Sequence, residues 1–299
     1  MTATDQPRPP CIPLKKILCA VDFLPGSLQA FPFAASIARH YDGTLLLEYV
    51  APAVEAGKHR RKSPPPLGRT QSEIDAALTG LSHILDDLPH EMLFDRGDIC
   101  SKLLATAKER AVDLIVVGTH GVRGMKKLLR GSTAEQIVFL ASCPVLTAGP
   151  LVDRKPDFKR ILCAAELSPA SEQAIPYALS LAEMYKASLI FLHVNDWGSN
   201  ESPVDARPRT ADFIHKQLQK SSQGAAMEAR SRVKVDFGSC TELILEAAID
   251  SEADLIVMGL HSTMGIRARI SAHIPGLMTY DVIAQAPCPV LTVPLPRAA

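Results

Sequence analysis

The sequence predicts an α/β protein built from two tandem, doubly wound, five-stranded parallel sheets, and three observations carry that expectation. The first is self-similarity. Lys16-Ile17-Leu18-Cys19-Ala20-Val21-Asp22 lines up with Arg160-Ile161-Leu162-Cys163-Ala164-Ala165-Glu166 at an offset of 144. The register then holds through Ser27 and Ser171, Tyr41 and Tyr185, and Val50 and Val194. Farther on, Asp113-Leu114-Ile115-Val116-Val117-Gly118 matches Asp254-Leu255-Ile256-Val257-Met258-Gly259, and Cys143-Pro144-Val145-Leu146-Thr147 matches Cys288-Pro289-Val290-Leu291-Thr292. The second observation is that continuous apolar runs alternate with segments of helical period. The third is length, because 299 residues suit two domains of ordinary size better than one.

Within the first unit, residues 16–21 form an apolar run of the kind a strand buried on both faces requires. Residues 28–41 follow, with Leu28, Phe31, Ala35 and Ala38 on one helical face and Ser27 placed to cap it. Pro32 and Pro176 fall early in their helices, which predicts a bend or a late helix start. Strands are expected at 44–50, 90–96, 113–117 and 144–148, and helices at 72–88, 99–111 and 132–141. The second unit repeats this order. The polar, Pro-containing stretch 151–157 reads as a linker, giving domains at residues 13–150 and 157–296. Segments 51–71 and 195–209 read as long irregular loops.

Composition narrows the function. Lys and Arg total 32 against 32 for Asp and Glu, so no global charge draws the chain to nucleic acid or to an anionic membrane. The short basic run His59-Arg60-Arg61-Lys62 has no interleaved aromatics and reads as a solvated loop. Residues 1–13 carry Pro7, Pro9 and Pro10 and no apolar stretch of signal-peptide type, and no run reaches membrane length, so the expected compartment is the cytoplasm. Seven cysteines, an odd number without a Cys-x-x-Cys pair, read as buried thiols rather than a metal or redox site.

The chemistry-bearing segment follows the fourth strand. Gly118-Thr119-His120-Gly121 is succeeded by nine residues and then by Gly131-Ser132-Thr133 at the start of a helix. Glycines let backbone N–H groups approach an anion closely, a helix start favours phosphate, and the two hydroxyls add donors. Asp22, at the carboxyl end of strand one, stands where a carboxylate holds a nucleotide hydroxyl or, less directly, a metal ion. Together with the Val21-Asp22 strand end and the Cys143-Pro144-Val145-Leu146 strand, this pattern resembles the universal stress proteins over nearly the whole chain. The resemblance implies a Rossmann-like sheet of the adenine nucleotide α-hydrolase type, in the order 3-2-1-4-5, with fifth strands paired between two units as an internal pseudo-dimer. In the ATP-binding branch it implies ATP, with or without Mg, held by Ala20, Val21, Asp22, Val50, Val117, Gly118, Gly121, Gly131, Ser132 and Thr133. A homodimer of the whole chain is a further arrangement it leaves open.

The second unit departs from the pattern. Ser262 replaces the second glycine, Glu166 replaces the aspartate, and alignment of Gly276 with Gly131 puts Leu277 and Met278 in place of Ser132 and Thr133. These changes predict one ATP per chain, in the first unit. Asp22 also reads as a turn or cap residue, the glycines as a plain turn, and His120 and His261 as turn residues rather than catalysts. No nucleophile–base pair is visible, and the cluster Lys126, Lys127 and Arg130 is the one candidate cation clamp for an ATP-hydrolysing or adenylyl-transferring enzyme. A nucleotide-free interaction scaffold is the third reading.

Overall fold

The computed structural model describes residues 12–52, 71–119, 133–195, 202–221, 224–260 and 275–295. The first unit runs β1 (Lys16–Ala20), α1 (Pro25–His40), β2 (Thr44–Ala51), α2 (Gln71–Leu85), β3 (His90–Arg96), α3 (Ile99–Glu109), β4 (Leu114–Gly118), α4 (Thr133–Leu140) and β5 (Val145–Ala148). The second runs β6 (Arg160–Ala164), α5 (Pro169–Met184), β7 (Ser188–Asn195), α6 (Pro203–Gln219), α7 (Gly224–Glu228), β8 (Ser231–Phe237), α8 (Cys240–Asp250), β9 (Leu255–Leu260), α9 (Pro275–Gln285) and β10 (Val290–Pro294).

The strands form one sheet of ten, in the order β3-β2-β1-β4-β5-β10-β9-β6-β7-β8. Each half has the order 3-2-1-4-5, all parallel, and the halves meet where β5 and β10 pair antiparallel. Leu146 faces Leu291 at the centre of that pairing, and these are equivalent residues of the two repeats, so a pseudo-two-fold axis passes between them. One apolar cluster lies under α1, α2, α5 and α6 and the other under α3, α4, α8 and α9, and each runs through both halves.

The helix faces obey the same pseudo-symmetry. Ser36 hydrogen-bonds Tyr185 at 2.9 Å, and its counterpart Ser180 hydrogen-bonds Tyr41, the counterpart of Tyr185, at 2.8 Å. Ser36 also donates to the Pro156 carbonyl, as Ser180 donates to that of Ile12, again an equivalent pair. Buried hydroxyls are tolerated only when partnered, and this arrangement partners all four across the interface. Backbone geometry repeats too. Positive φ occurs at Phe23 and Leu167, Asp42 and Lys186, Ala111 and Glu252, and Gly97 and Gly238, the same four turns in each half.

Three local expectations change. Helices α1 and α5 begin at Pro25 and Pro169, earlier than the internal prolines suggested, because a proline at the first helical position is preset for helix and lacks only an N–H that would go unpaired there. Pro32 and Pro176 sit inside them. Ser27 is therefore not the cap; the N-cap of α1 is Leu24, with no side-chain hydrogen bond. Residues 203–209, expected as loop, open α6, because Ser202 accepts from the Asp205 N–H and Pro203 supplies the preset first turn. Most of the other expected loop, and the run His59 to Lys62, lies outside the described residues.

Among the described residues no helix is long and apolar enough to cross a membrane. The outer edge strands β3 and β8 carry charge along their length, including Glu91, Asp95, Arg232 and Lys234, which discourages further strand pairing.

Cys19, Cys100, Cys163 and Cys288 are buried and free, whereas Cys143 and Cys240 are partly exposed. Burial pushes the thiols of Cys19, Cys163 and Cys288 up to about 12. A thiol whose folded pKa lies above its ordinary 9.0 contributes stability below pH 9 that is lost as the pH climbs toward 12. At pH 8 these three cysteines should label with a thiol reagent only after denaturation; rapid labelling of the native protein at any of them, located by mass spectrometry, would contradict their burial.

Removing residues 151–299 exposes the β5 edge, whose residues are all buried in the full chain. The isolated first half should self-associate through that edge, and light scattering showing a soluble monomer would count against the pairing as the dominant contact.

Candidate functional site

The chain leaves β1 toward β2 and leaves β4 toward β5, so the sheet order reverses between β1 and β4 and opens a crevice at their carboxyl ends. Ala20 ends β1, Val21 follows it with its N–H bonded to the Glu48 carbonyl at 2.9 Å, and Asp22 comes next. Val117 and Gly118 end β4, Val50 is the penultimate residue of β2, and Thr133 opens α4. These seven expected site residues thus sit at the carboxyl edge of the sheet or at the helix start after it. The other three, Gly121, Gly131 and Ser132, lie outside the described residues, as do His120, His261, Ser262, Lys126, Lys127 and Arg130.

Two of the seven have a structural duty of their own. Asp22 Oδ1 accepts from the Leu24 N–H at 2.9 Å and from the Ser27 hydroxyl at 2.6 Å, while the Asp22 N–H donates to Ser27 Oγ at 3.2 Å. The carboxylate thus builds the turn into α1, replacing the hydroxyl that Ser168 provides at the N-cap of α5. Gly118 is small because α1 starts against it: a Cβ there would lie 1.9 Å from the Gly26 carbonyl oxygen. Gly259 repeats the constraint, with its would-be Cβ 2.4 Å from the Ala170 carbonyl oxygen. The first glycine of the motif is accounted for by packing alone, whatever it does for a ligand.

The second unit shows what this crevice becomes once lined. A small cavity of about 30 Å³ is bounded by Ala164, Ala165, Glu166, Leu192, Val194, Cys240, Ile244, Met258, Gly259 and Met278. Carried across the repeat, these positions are Ala20, Val21, Asp22, Glu48, Val50, Ile99, Leu103, Val117, Gly118 and Thr133. All seven described site residues are in that set. In unit two Met258 and Met278 occupy the places of Val117 and Thr133 and narrow the cavity. A wider groove of about 530 Å³ runs along α8 beside Ser239 and Ile249, but Glu242 and Glu246 give it the wrong charge for a phosphate.

Glu48 is the residue that sequence reasoning missed. It is 1% exposed, and among the described residues no group meets either carboxyl oxygen with full hydrogen-bond geometry, although the Thr106 hydroxyl lies near enough to interact. Burial raises its pKa above the usual carboxylate range; the nearby Thr106 hydroxyl draws it back, Asp95 pushes it up and Lys102 lowers it. The available signal was an acid inside the apolar strand Leu45-Leu46-Leu47-Glu48-Tyr49-Val50, where the repeat has Leu192.

The universal stress protein family model matches residues 13–148 and again residues 157–294. The chain belongs to the universal stress protein family. It is 35% identical over 136 residues to universal stress protein A homolog 1 of Coxiella burnetii, covering 44% of this chain and 94% of that relative. A universal stress protein of Thermus aquaticus is 32% identical over 145 residues, covering 46% of this chain and 98% of its own. The crystal structure of a universal stress protein from Archaeoglobus fulgidus matches the fold across both units, with a TM-score of 0.64, 18% identity, 94% of this chain and 97% of that one. Tandem universal stress protein units, rather than one, thus account for the length.

The glycine packing makes a prediction for this tandem pair. Gly118→Ala and Gly259→Ala should each destabilise the protein by at least about 3 kcal/mol, because the obstructing atoms are backbone and cannot rotate away. Urea unfolding of either variant at wild-type midpoint would show that the helix start is not pressed against the strand end.

Proposed function

We propose that this universal stress protein binds ATP in its first unit and acts as a nucleotide-dependent regulatory protein, with the second unit serving as its built-in pairing partner. The observation that carries this reading is the coincidence of two sets: the residues the motif singles out, and the first-unit counterparts of the residues that line the cavity at the β6/β9 reversal of the second unit. Ala20, Val50 and Val117 offer apolar contact for a base, and Asp22 offers a carboxylate for a ribose hydroxyl. Gly131, Ser132 and Thr133 are the phosphate-side residues of the motif, leading into the eight-residue helix α4. A Mg ion would be held chiefly by the phosphates, since that ion keeps most of its water and takes few protein ligands. Glu48 fits the same assignment, being a buried carboxyl to which the described residues offer no well-formed hydrogen bond beyond the nearby Thr106 hydroxyl.

The two units are proposed to be unequal. Where unit one has Glu48, Val117 and Thr133, unit two has Leu192, Met258 and Met278, which place longer apolar side chains at two of those positions and remove the Thr133 hydroxyl. Loss of two phosphate-directed hydrogen bonds weakens affinity by a factor of several hundred or more, on the order of 1.5–3 kcal/mol for each.

Calorimetric titration of the full chain should therefore give one ATP site. Gly131→Val should remove it and Gly276→Val should leave it. Asp22→Asn keeps the oxygen that the α1 turn uses while discarding the charge, so it should weaken ATP without loosening the fold. Two equivalent ATP sites, or a site lost with Gly276→Val alone, would overturn the assignment.

A further inference from the structure

Glu48 sits on the face of β2 that packs under α3. Its register neighbours Ala20 and Leu93 belong to that cluster, as does Leu46 two residues before it. Val50 lies two residues farther along the same face, about 6.6 Å nearer the carboxyl edge at 3.3 Å per residue. Leu192, at the same register in β7, borders the cavity of the second unit, so Glu48 stands at the inner wall of the corresponding site in the first.

A carboxyl group in such a place is expensive. A leucine buried here would stabilise the fold, whereas a poorly paired buried polar group destabilises it. The second unit shows that the scaffold accepts leucine here. Unit one instead keeps two buried oxygens for which the described residues supply no well-formed hydrogen bond, the Thr106 hydroxyl standing nearby.

We propose that Glu48 is the specificity-determining residue of the first unit, pairing with the amino-bearing edge of an adenine base. The inference rests on the ATP-binding reading and adds the group that recognises the base. The carbonyl oxygen of a neutral carboxyl accepts from the 6-amino group, and its hydroxyl donates to the adjacent ring nitrogen. This is the two-bond pattern by which a side-chain amide reads adenine. Burial and the Asp95 carboxylate on β3 favour the neutral form, against the Thr106 hydroxyl and the Lys102 ammonium on α3. Asp95 holds Lys102 at 2.7 Å, which keeps that cation engaged at its own pair.

The test compares ATP with purine riboside triphosphate, which lacks the 6-amino group, by calorimetry on the full-length protein. Wild type should prefer ATP by about tenfold or more, since the analogue leaves a buried acceptor unpaired. In Glu48→Leu, the residue of the second unit, the preference should fall to about one. Glu48→Gln should keep most of it, because the amide offers the same acceptor and donor. Without nucleotide, Glu48→Leu should melt above wild type, as removal of a poorly paired buried acid requires. Wild type that binds both nucleotides equally would overturn the role of Glu48 and leave the ATP site standing, whereas wild type that binds neither would overturn both. Loss of the preference in a folded Glu48→Gln protein would also sink the pairing.

Discussion

Three register pairs, Thr147 with Val290, Leu146 with Leu291 and Val145 with Thr292, close the ten-stranded sheet, and the architecture depends on them. A parallel sheet ends in a strand with one open edge, which invites association unless it is covered. Here each unit covers the other. Because the pairing is antiparallel and centred on equivalent leucines, it sets the pseudo-two-fold axis, and the axis brings α1 of one unit against α5 of the other. The Ser36, Tyr41, Ser180 and Tyr185 hydroxyls then meet across the interface in matched bonds. Stacking of His40 on Tyr185 and packing of Phe33 on Phe158 fill the same seam.

With that frame fixed, the two units are free to diverge only where the frame does not reach. The four left-handed turns recur at equivalent points even though their residue types change, from Phe23 to Leu167 and from Ala111 to Glu252. Non-glycine residues in this region each cost on the order of 1 kcal/mol and persist because surrounding structure determines them. The close approach of the α1 and α5 starts to Gly118 and Gly259 recurs as well. Divergence falls at the crevice instead. Asp22 corresponds to Glu166, Glu48 to Leu192 and Thr133 to Met278 in the repeat, substitutions that exchange polar groups for apolar bulk or for a longer acid without touching the strand pairing. At these positions the first unit keeps polar groups and the second has apolar side chains at two of them.

The duplication and the alternation of strands and helices were legible in the sequence because repeat register and apolar runs are properties of whole segments, while the strand order and the pairing of fifth strands followed from the family resemblance. Helix starts were less so. Pro25, Pro169 and Pro203 each open a helix that periodicity alone placed later, since the first turn of a helix has few buried positions to betray it. Asp22 was legible at the carboxyl end of β1, but its partnership with Ser27 depends on a turn geometry that only the fold reveals. Glu48 stayed hidden for another reason. A single acid in an apolar strand is weak information until the register shows that it lies on an interior face and that its counterpart in the repeat lines a cavity.

The central claim is that one scaffold, duplicated and sealed by its fifth strands, keeps a nucleotide crevice in one copy and fills it in the other. Hydrogen exchange of the intact chain with and without ATP, resolved by peptide, tests it most directly. The account predicts added protection around Ala20 to Asp22, Glu48 to Val50 and Val117 to Gly118, with the equivalent segments at 164–166, 192–194 and 258–259 unchanged. Equal protection in both halves, or protection confined to the second, would contradict it.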